Sequence, residues 1–235
     1  MLAHKQASGF TLVELMISLA IGSFVALSAV TYFMITFQAS LNTQTRAART
    51  TEFTRTEFVI SSAIRRAGFL SSTGNMISHL QATGDDNTFT DVISTSTDCA
   101  ILNFGTDTDP DKQVGFKREN NVMKTLIGAE GEVLACNSGS WLPITSTNAL
   151  FYKTFSITDG DTRYYNADDP NLAILSPAAC TGSSRTTNCL ITKIWTLELC
   201  ALPTDAASCS DEAGSYYTSI TIAPRNPILL GAWSG

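Results

Sequence analysis

The sequence predicts an α+β protein: one long N-terminal helix with a membrane-spanning half and an amphipathic half, packed on a mostly antiparallel β-sheet head with disulfide-stapled loops. Three observations predict it. Leu15 to Phe37 is a run of 23 residues without a charge. No proline occurs before residue 110, and no glycine between residues 23 and 67, so a helix begun near Phe10 can run on past the apolar stretch. Beyond residue 68, short apolar bursts alternate with Ser, Thr, Asn, Asp and Gly, and all six cysteines lie there.

The chain has 235 residues, enough for one sizeable domain and an extra element. Its net charge of −6 is unevenly placed. Residues 38–67 hold five arginines against two glutamates, net +3, whereas residues 68–235 hold 9 Lys+Arg against 18 Asp+Glu, net −9. An acidic head argues against an electrostatic nucleic-acid binder. The two histidines are His4 and His79. If His4 is lost with a leader, a Ser-His-Asp triad has only His79 to use and a multi-histidine metal site is excluded, so composition argues against an enzyme.

The apolar run as a helix would be roughly 35 Å long at about 1.5 Å per residue, a membrane-spanning length. Three fates fit it. A secretory signal peptide would be cut near the small residues Ala26 and Ser28, but the run continues nine residues past Ser28. An uncleaved anchor would hold Lys5 on the cytoplasmic side, yet leaves Glu14 at the edge of the span with no Lys or Arg in the next two helical turns. The third fate supplies a partner. Gly9-Phe10-Thr11-Leu12-Val13-Glu14 resembles the signal of type IV pilins and type II secretion pseudopilins, cut after the glycine by a prepilin peptidase that methylates the new N-terminus. The resemblance implies a pilin-like fold, cleavage between Gly9 and Phe10, N-methylation of Phe10, and pairing of Glu14 with the N-terminal amine of a neighbouring subunit. Two opposite buried charges are tolerable together and costly apart.

The third fate divides the chain into a prepilin leader over 1–9, a transmembrane or filament-core helix over 10–37, the amphipathic half of the same helix over 38–68, and a head over 69–235. Ser18, Gly22 and Ala26 recur every four residues in the apolar half, a small-residue ridge on which helices approach closely. In the second half Leu41, Ala48, Phe53, Ile60, Ile64 and Ala67 fall near one face, an imperfect stripe expected to pack on the chain's own head, with Gly68 as its stop.

Ile64-Arg65-Arg66-Ala67-Gly68-Phe69 resembles the end of this helix in PilW-type minor pilins, and Thr221-Ile222-Ala223-Pro224-Arg225-Asn226 resembles their terminal strand and ending. Many major pilins carry a proline midway along the apolar segment; here Val30-Thr31-Tyr32 stands instead, which departs from major subunits. The resemblance implies a minor pilin that primes assembly and caps the fibre tip. It implies as partners the prepilin peptidase, other minor pilins, the major pilin, an inner-membrane assembly platform and a tip adhesin. A J-type minor pseudopilin and an adhesin or DNA-uptake pilin stay open beside it. The expected location is the inner membrane, then the extracellular pilus tip.

In the head, strands are expected over Asp91–Ser94, Cys99–Phe104, Asn121–Ile127, Glu132–Cys136, Ala149–Ile157, Ile191–Cys200 and Tyr216–Ile222. In Lys193–Cys200, Trp195, Leu197 and Leu199 alternate with Ile194, Thr196 and Glu198, one face buried and the other wet. The even cysteine count, with no tight C-x-x-C pair, reads as disulfides in an oxidising compartment. Sequential pairing is expected, Cys99 with Cys136, Cys180 with Cys189 and Cys200 with Cys209, because the last two pairs close loops of eight intervening residues. Asp107, Asp109 and Asp111 have the alternate spacing of calcium-binding loop carboxylates, but Lys112 and Arg118 stand where an EF-hand loop needs glycine and glutamate. No cofactor is otherwise expected.

Overall fold

The computed structural model describes residues 11–67, 93–96, 98–104, 112–128, 134–146, 149–176, 179–180, 188–205, 209, 215–223, 225 and 228–230. The chain divides into two compact units, residues 1–48 and 49–235. A single helix, α1 (Leu12–Arg66), contributes to both.

In the first unit the helix is apolar all round as far as Phe37 and mostly polar from Gln38 to Ala48, and every described residue from 11 to 48 is exposed. That is also true of Leu41 and Ala48, which the expected stripe placed against the head. The buried stripe instead begins at Phe53 and runs through Thr56, Ile60, Ala63, Ile64 and Ala67, at the three- and four-residue steps that keep one helical face inward.

The second unit carries two sheets. The first is a meander of β1 (Ile93–Ser96), β2 (Cys99–Phe104), β3 (Lys112–Glu119), β4 (Val122–Ile127) and β5 (Leu142–Pro143), each antiparallel to the next. The second is built on two long strands, β6 (Phe151–Asn166) and β8 (Cys189–Leu202), paired antiparallel with two register shifts. β7 (Ile174–Leu175) pairs with the far end of β6, while β9 (Tyr216–Ile222) and β10 (Ile228–Leu230) pair with separate stretches of β8. At the second shift Gly160 lies so close to β8 that a Cβ there would sit 2.9 Å from the Ile194 carbonyl oxygen.

One apolar core joins these parts. It takes Ile60 and Ile64 from α1, Leu102, Phe116 and Met123 from the meander, and Tyr152, Phe155, Trp195, Leu197 and Leu199 from the long strands. The alternation on β8 is as the sequence predicts for Trp195, Leu197 and Leu199, but Ile194, Thr196 and Glu198 are half-buried rather than wet. β2 and β9 have the expected limits and β4 nearly so, whereas β6 extends nine residues past Ile157. Leu134 to Cys136 form no strand; Glu132 and Val133 lie outside the described residues.

β3 was not expected from the sequence. Its turn into β4 is Asn120-Asn121, both at positive φ (53° and 62°) between the paired residues Glu119 and Val122, the two-residue geometry that matches strand twist. Cys99 bonds Cys136, Cys180 bonds Cys189 and Cys200 bonds Cys209, the sequential set. Arg118 donates from Nε to Oδ1 of Asp98 at 2.8 Å and pairs with Oδ2 as well, so it staples the β1–β2 turn to β3.

Candidate assembly site

The first turn of α1 is capped locally. Thr11 accepts the Glu14 N–H on its carbonyl (3.1 Å) and on its hydroxyl (3.4 Å), and the Leu15 N–H on its carbonyl (3.2 Å). Thr11 and Glu14 thus occupy the first and fourth positions of a capping sequence, with the carboxylate in the turn that the helix dipole favours for it. Gly9 and Phe10, the expected cleavage pair, lie outside the described residues.

Beyond Glu14 the helix presents almost pure hydrocarbon. Leu19, Phe24 and Tyr32 are each more than 70% exposed. The serine and threonine hydroxyls in the run are satisfied within the helix itself: Ser18 donates to the Glu14 carbonyl (2.8 Å), Ser23 to Ala20 (2.9 Å), Ser28 to Phe24 (2.9 Å), Thr31 to Leu27 (2.9 Å), and Thr36 to Tyr32 and Phe33 (2.9 Å each). In hydrocarbon an unpaired donor costs several kcal/mol, roughly 2 to 7, so this pattern suits a segment surrounded by lipid or by other apolar helices. Ser18, Gly22 and Ala26 are exposed, and a Cβ on Gly22 would meet nothing within 4 Å. The helix is long and apolar enough to cross a membrane.

Within the second unit, α1 is locked to the head by polar contacts as well as by its stripe. The Tyr152 hydroxyl donates to Thr56 Oγ1 at 3.1 Å, and Thr56 donates in turn to the Glu52 carbonyl at 2.8 Å. Burial pushes the Tyr152 phenol up to about 12, the Thr56 hydrogen bond opposing that shift and the Glu52 charge adding to it. Glu52 Oε1 accepts the Ser146 N–H at 3.2 Å. Partial burial raises the Glu52 carboxyl above its ordinary value, and the Ser146 bond offsets part of the rise. Arg49 Nε donates to the Ala149 carbonyl at 3.0 Å. Phe53 stacks on Tyr152 with ring centroids 6.4 Å apart and leans on Tyr216 at 5.8 Å.

At the other end of this half, the Arg225 N–H donates to the Arg65 carbonyl at 2.9 Å, satisfying one of the carbonyls that a helix C-terminus leaves open. Arg65 and Arg225, one from each of the two segments that carry the family resemblance, therefore meet. None of these polar contacts was expected from the sequence. The Thr56 and Arg225 partners lie far off in the chain, and only the Thr56 gap in an apolar stripe hinted at a buried acceptor.

Asp107, Asp109 and Asp111, the proposed calcium carboxylates, lie outside the described residues. Among the described residues no group of His, Cys, Asp and Glu could hold a metal ion. The geometry offers surfaces and locks: an unburied apolar helix, a helix–head seam, and disulfides that brace the loops.

Comparisons with known proteins address both ends of this picture. Residues 4–30 match the prokaryotic N-terminal methylation motif. Residues 29–222 match the family model for prepilin peptidase-dependent protein B. The chain is 26% identical over 162 residues to the prepilin peptidase-dependent protein B of Escherichia coli (strain K12), covering 65% of this chain and 78% of that protein. No solved structure matches the chain.

Proposed function

Because the chain belongs to the prepilin peptidase-dependent protein B family, we propose that it is a PilW-type minor pilin of a type IV pilus, acting through subunit interfaces and not through catalysis. The observation that carries this reading is the methylation motif over residues 4–30, which runs into an exposed apolar helix whose serine and threonine hydroxyls are internally satisfied. Prepilin peptidase removes residues 1–9 and Phe10 becomes the N-methylated terminus. Residues 10–37 hold the subunit in the inner membrane with the head in the periplasm, and later pack in the core of the filament. The sequential disulfides suit that oxidising compartment.

After cleavage Glu14 is the fifth residue, four positions along the chain from the new amine. It neutralises the amine of an adjacent subunit and so sets axial register, since an unpaired carboxylate costs free energy that grows with depth, up to about 2.5 to 3.5 kcal/mol at the centre of a span. Ser18, Gly22 and Ala26 give the neighbouring helix room to approach. The subunit joins other minor pilins in the complex that primes assembly, and ends at the fibre tip.

Deleting the gene is expected to abolish or sharply reduce surface pili, and Glu14→Ala is expected to leave the chain processed and membrane-bound but absent from sheared fibres. Normal piliation with a secretion defect would instead make it a J-type minor pseudopilin. Unchanged incorporation of Glu14→Ala would remove the register role from that residue.

A further inference from the structure

Phe58 is 69% exposed although it lies on the half of α1 that packs on the head, between the buried residues Thr56 and Ile60. It lines two adjoining grooves, together with Ser61 and Arg65. One, of about 410 Å³, adds Ser62, Arg66 and Arg225. The other, of about 540 Å³, runs between Thr54 and Glu57 of the helix and Ser219 to Ile222 of β9. Arg65 and Arg225 are exposed, and neither has a carboxylate within ion-pair distance among the described residues. Among those residues β9 pairs with β8 alone, so its second edge has no ladder partner.

We propose that this paired groove is the docking site for an extended acidic segment of a different prepilin-type subunit. The inference rests on the minor-pilin reading, which supplies the class of partner. An exposed aromatic flanked by arginines is the composition found at the energetic centre of protein interfaces. The two guanidiniums, 160 residues apart in sequence but lining one groove, offer forked donors to carboxylates. Glu57 lines the opposite end, which places the partner's carboxylates at the Arg65–Arg225 end and its apolar side chain on Phe58. The alternation of exposed Ser219 and Thr221 with half-buried Ile220 suits an extended neighbour along β9. Arg65 and Arg225 give the groove a local positive charge beside residues 68–235, whose net charge is −9. A short acidic segment pairs with the two arginines and brings few other charges, whereas nucleic acid or an anionic membrane would bring many more negative charges against the acidic surroundings.

The test uses the full chain expressed in cells that assemble pili, with a photocrosslinking benzoylphenylalanine at Phe58 and, in a parallel strain, at Leu19 in the apolar half. Adducts are mapped by peptide mass spectrometry. The expected result is a Phe58 adduct on a carboxylate-bearing segment of another prepilin-type subunit, reduced at least fivefold by Arg65→Glu with Arg225→Glu and less by the Arg→Gln pair, while Leu19 adducts persist. Leu19 adducts without any at Phe58 would overturn the docking site and leave the minor-pilin reading standing. A Phe58 adduct to a second copy of this chain, to a segment without carboxylates, or one indifferent to both arginine pairs would overturn it equally. Loss of adducts at both positions would overturn the minor-pilin premise and the groove with it.

Discussion

Replacing Tyr152 by Phe isolates the polar lock between α1 and the head. Tyr152 is fully buried, and its hydroxyl gives one hydrogen bond, to Thr56 Oγ1 at 3.1 Å. Deleting it removes a bond whose net value is about 0.5 to 1.5 kcal/mol, and orphans no donor, because Thr56 still donates to the Glu52 carbonyl. The expected cost is therefore close to 1 kcal/mol, or roughly 2 to 4 °C in melting temperature for a unit of this size. Thr56→Val is harsher, since it keeps the shape but strands the buried Tyr152 O–H, at about 1 to 3 kcal/mol. The double variant leaves neither group and should be less destabilised than the two single losses together, with a coupling of about 1 kcal/mol. Urea denaturation of the purified chain in detergent, followed by near-ultraviolet circular dichroism with the disulfides intact, measures all four corners of the cycle. Additivity within about 0.3 kcal/mol would refute the lock as described.

Two further perturbations probe separate parts of the head. The folded Glu52 carboxyl lies above its unfolded value, so the native state binds the extra proton between the two; stability from this group is greatest below that window and falls as pH rises through it. Glu52→Gln, which retains an acceptor for the Ser146 N–H, should flatten this part of the pH–stability curve and leave stability at neutral pH unchanged or higher; a steeper curve would contradict the assignment. Gly115→Ala would place a Cβ 2.6 Å from Cη2 of Trp141, whose Nε1 is held by the Ser138 carbonyl at 2.8 Å. The ring must move, and the expected readout is altered Trp141 fluorescence with about 1 to 3 kcal/mol of destabilisation; an unchanged spectrum and stability would contradict the close approach.

The parts of the fold that follow from uninterrupted patterns were legible in the sequence. The helix has no proline and a single glycine, Gly22, and apolar or β-branched residues predominate in β2, β4, β8 and β9. β3 was hidden because Gly115 interrupts it and Lys117, Arg118 and Glu119 crowd its end. Gly115 is small there because the Trp141 ring covers it, and Arg118 is charged there because Asp98 meets it, both contacts made by residues outside the strand. The helix stripe was misread for the same kind of reason. Leu41 and Ala48 satisfied the period but are exposed, while Thr56 broke the hydrophobic pattern but is buried against a tyrosine 96 residues away. At the assembly site, the motif around Glu14 was readable because its chemistry is local in sequence. The arginine-lined groove was not, because it exists only once Arg225 is folded back onto the end of α1.

The proposed processing and assembly of this chain as a pilin subunit can be read from its first residue where it works. Mass spectrometry of surface fibres sheared from cells is expected to recover a peptide beginning at N-methylated Phe10, in amounts far below the major subunit. A chain found only in the membrane fraction and still beginning at Met1, or one beginning at Ala29, would contradict it.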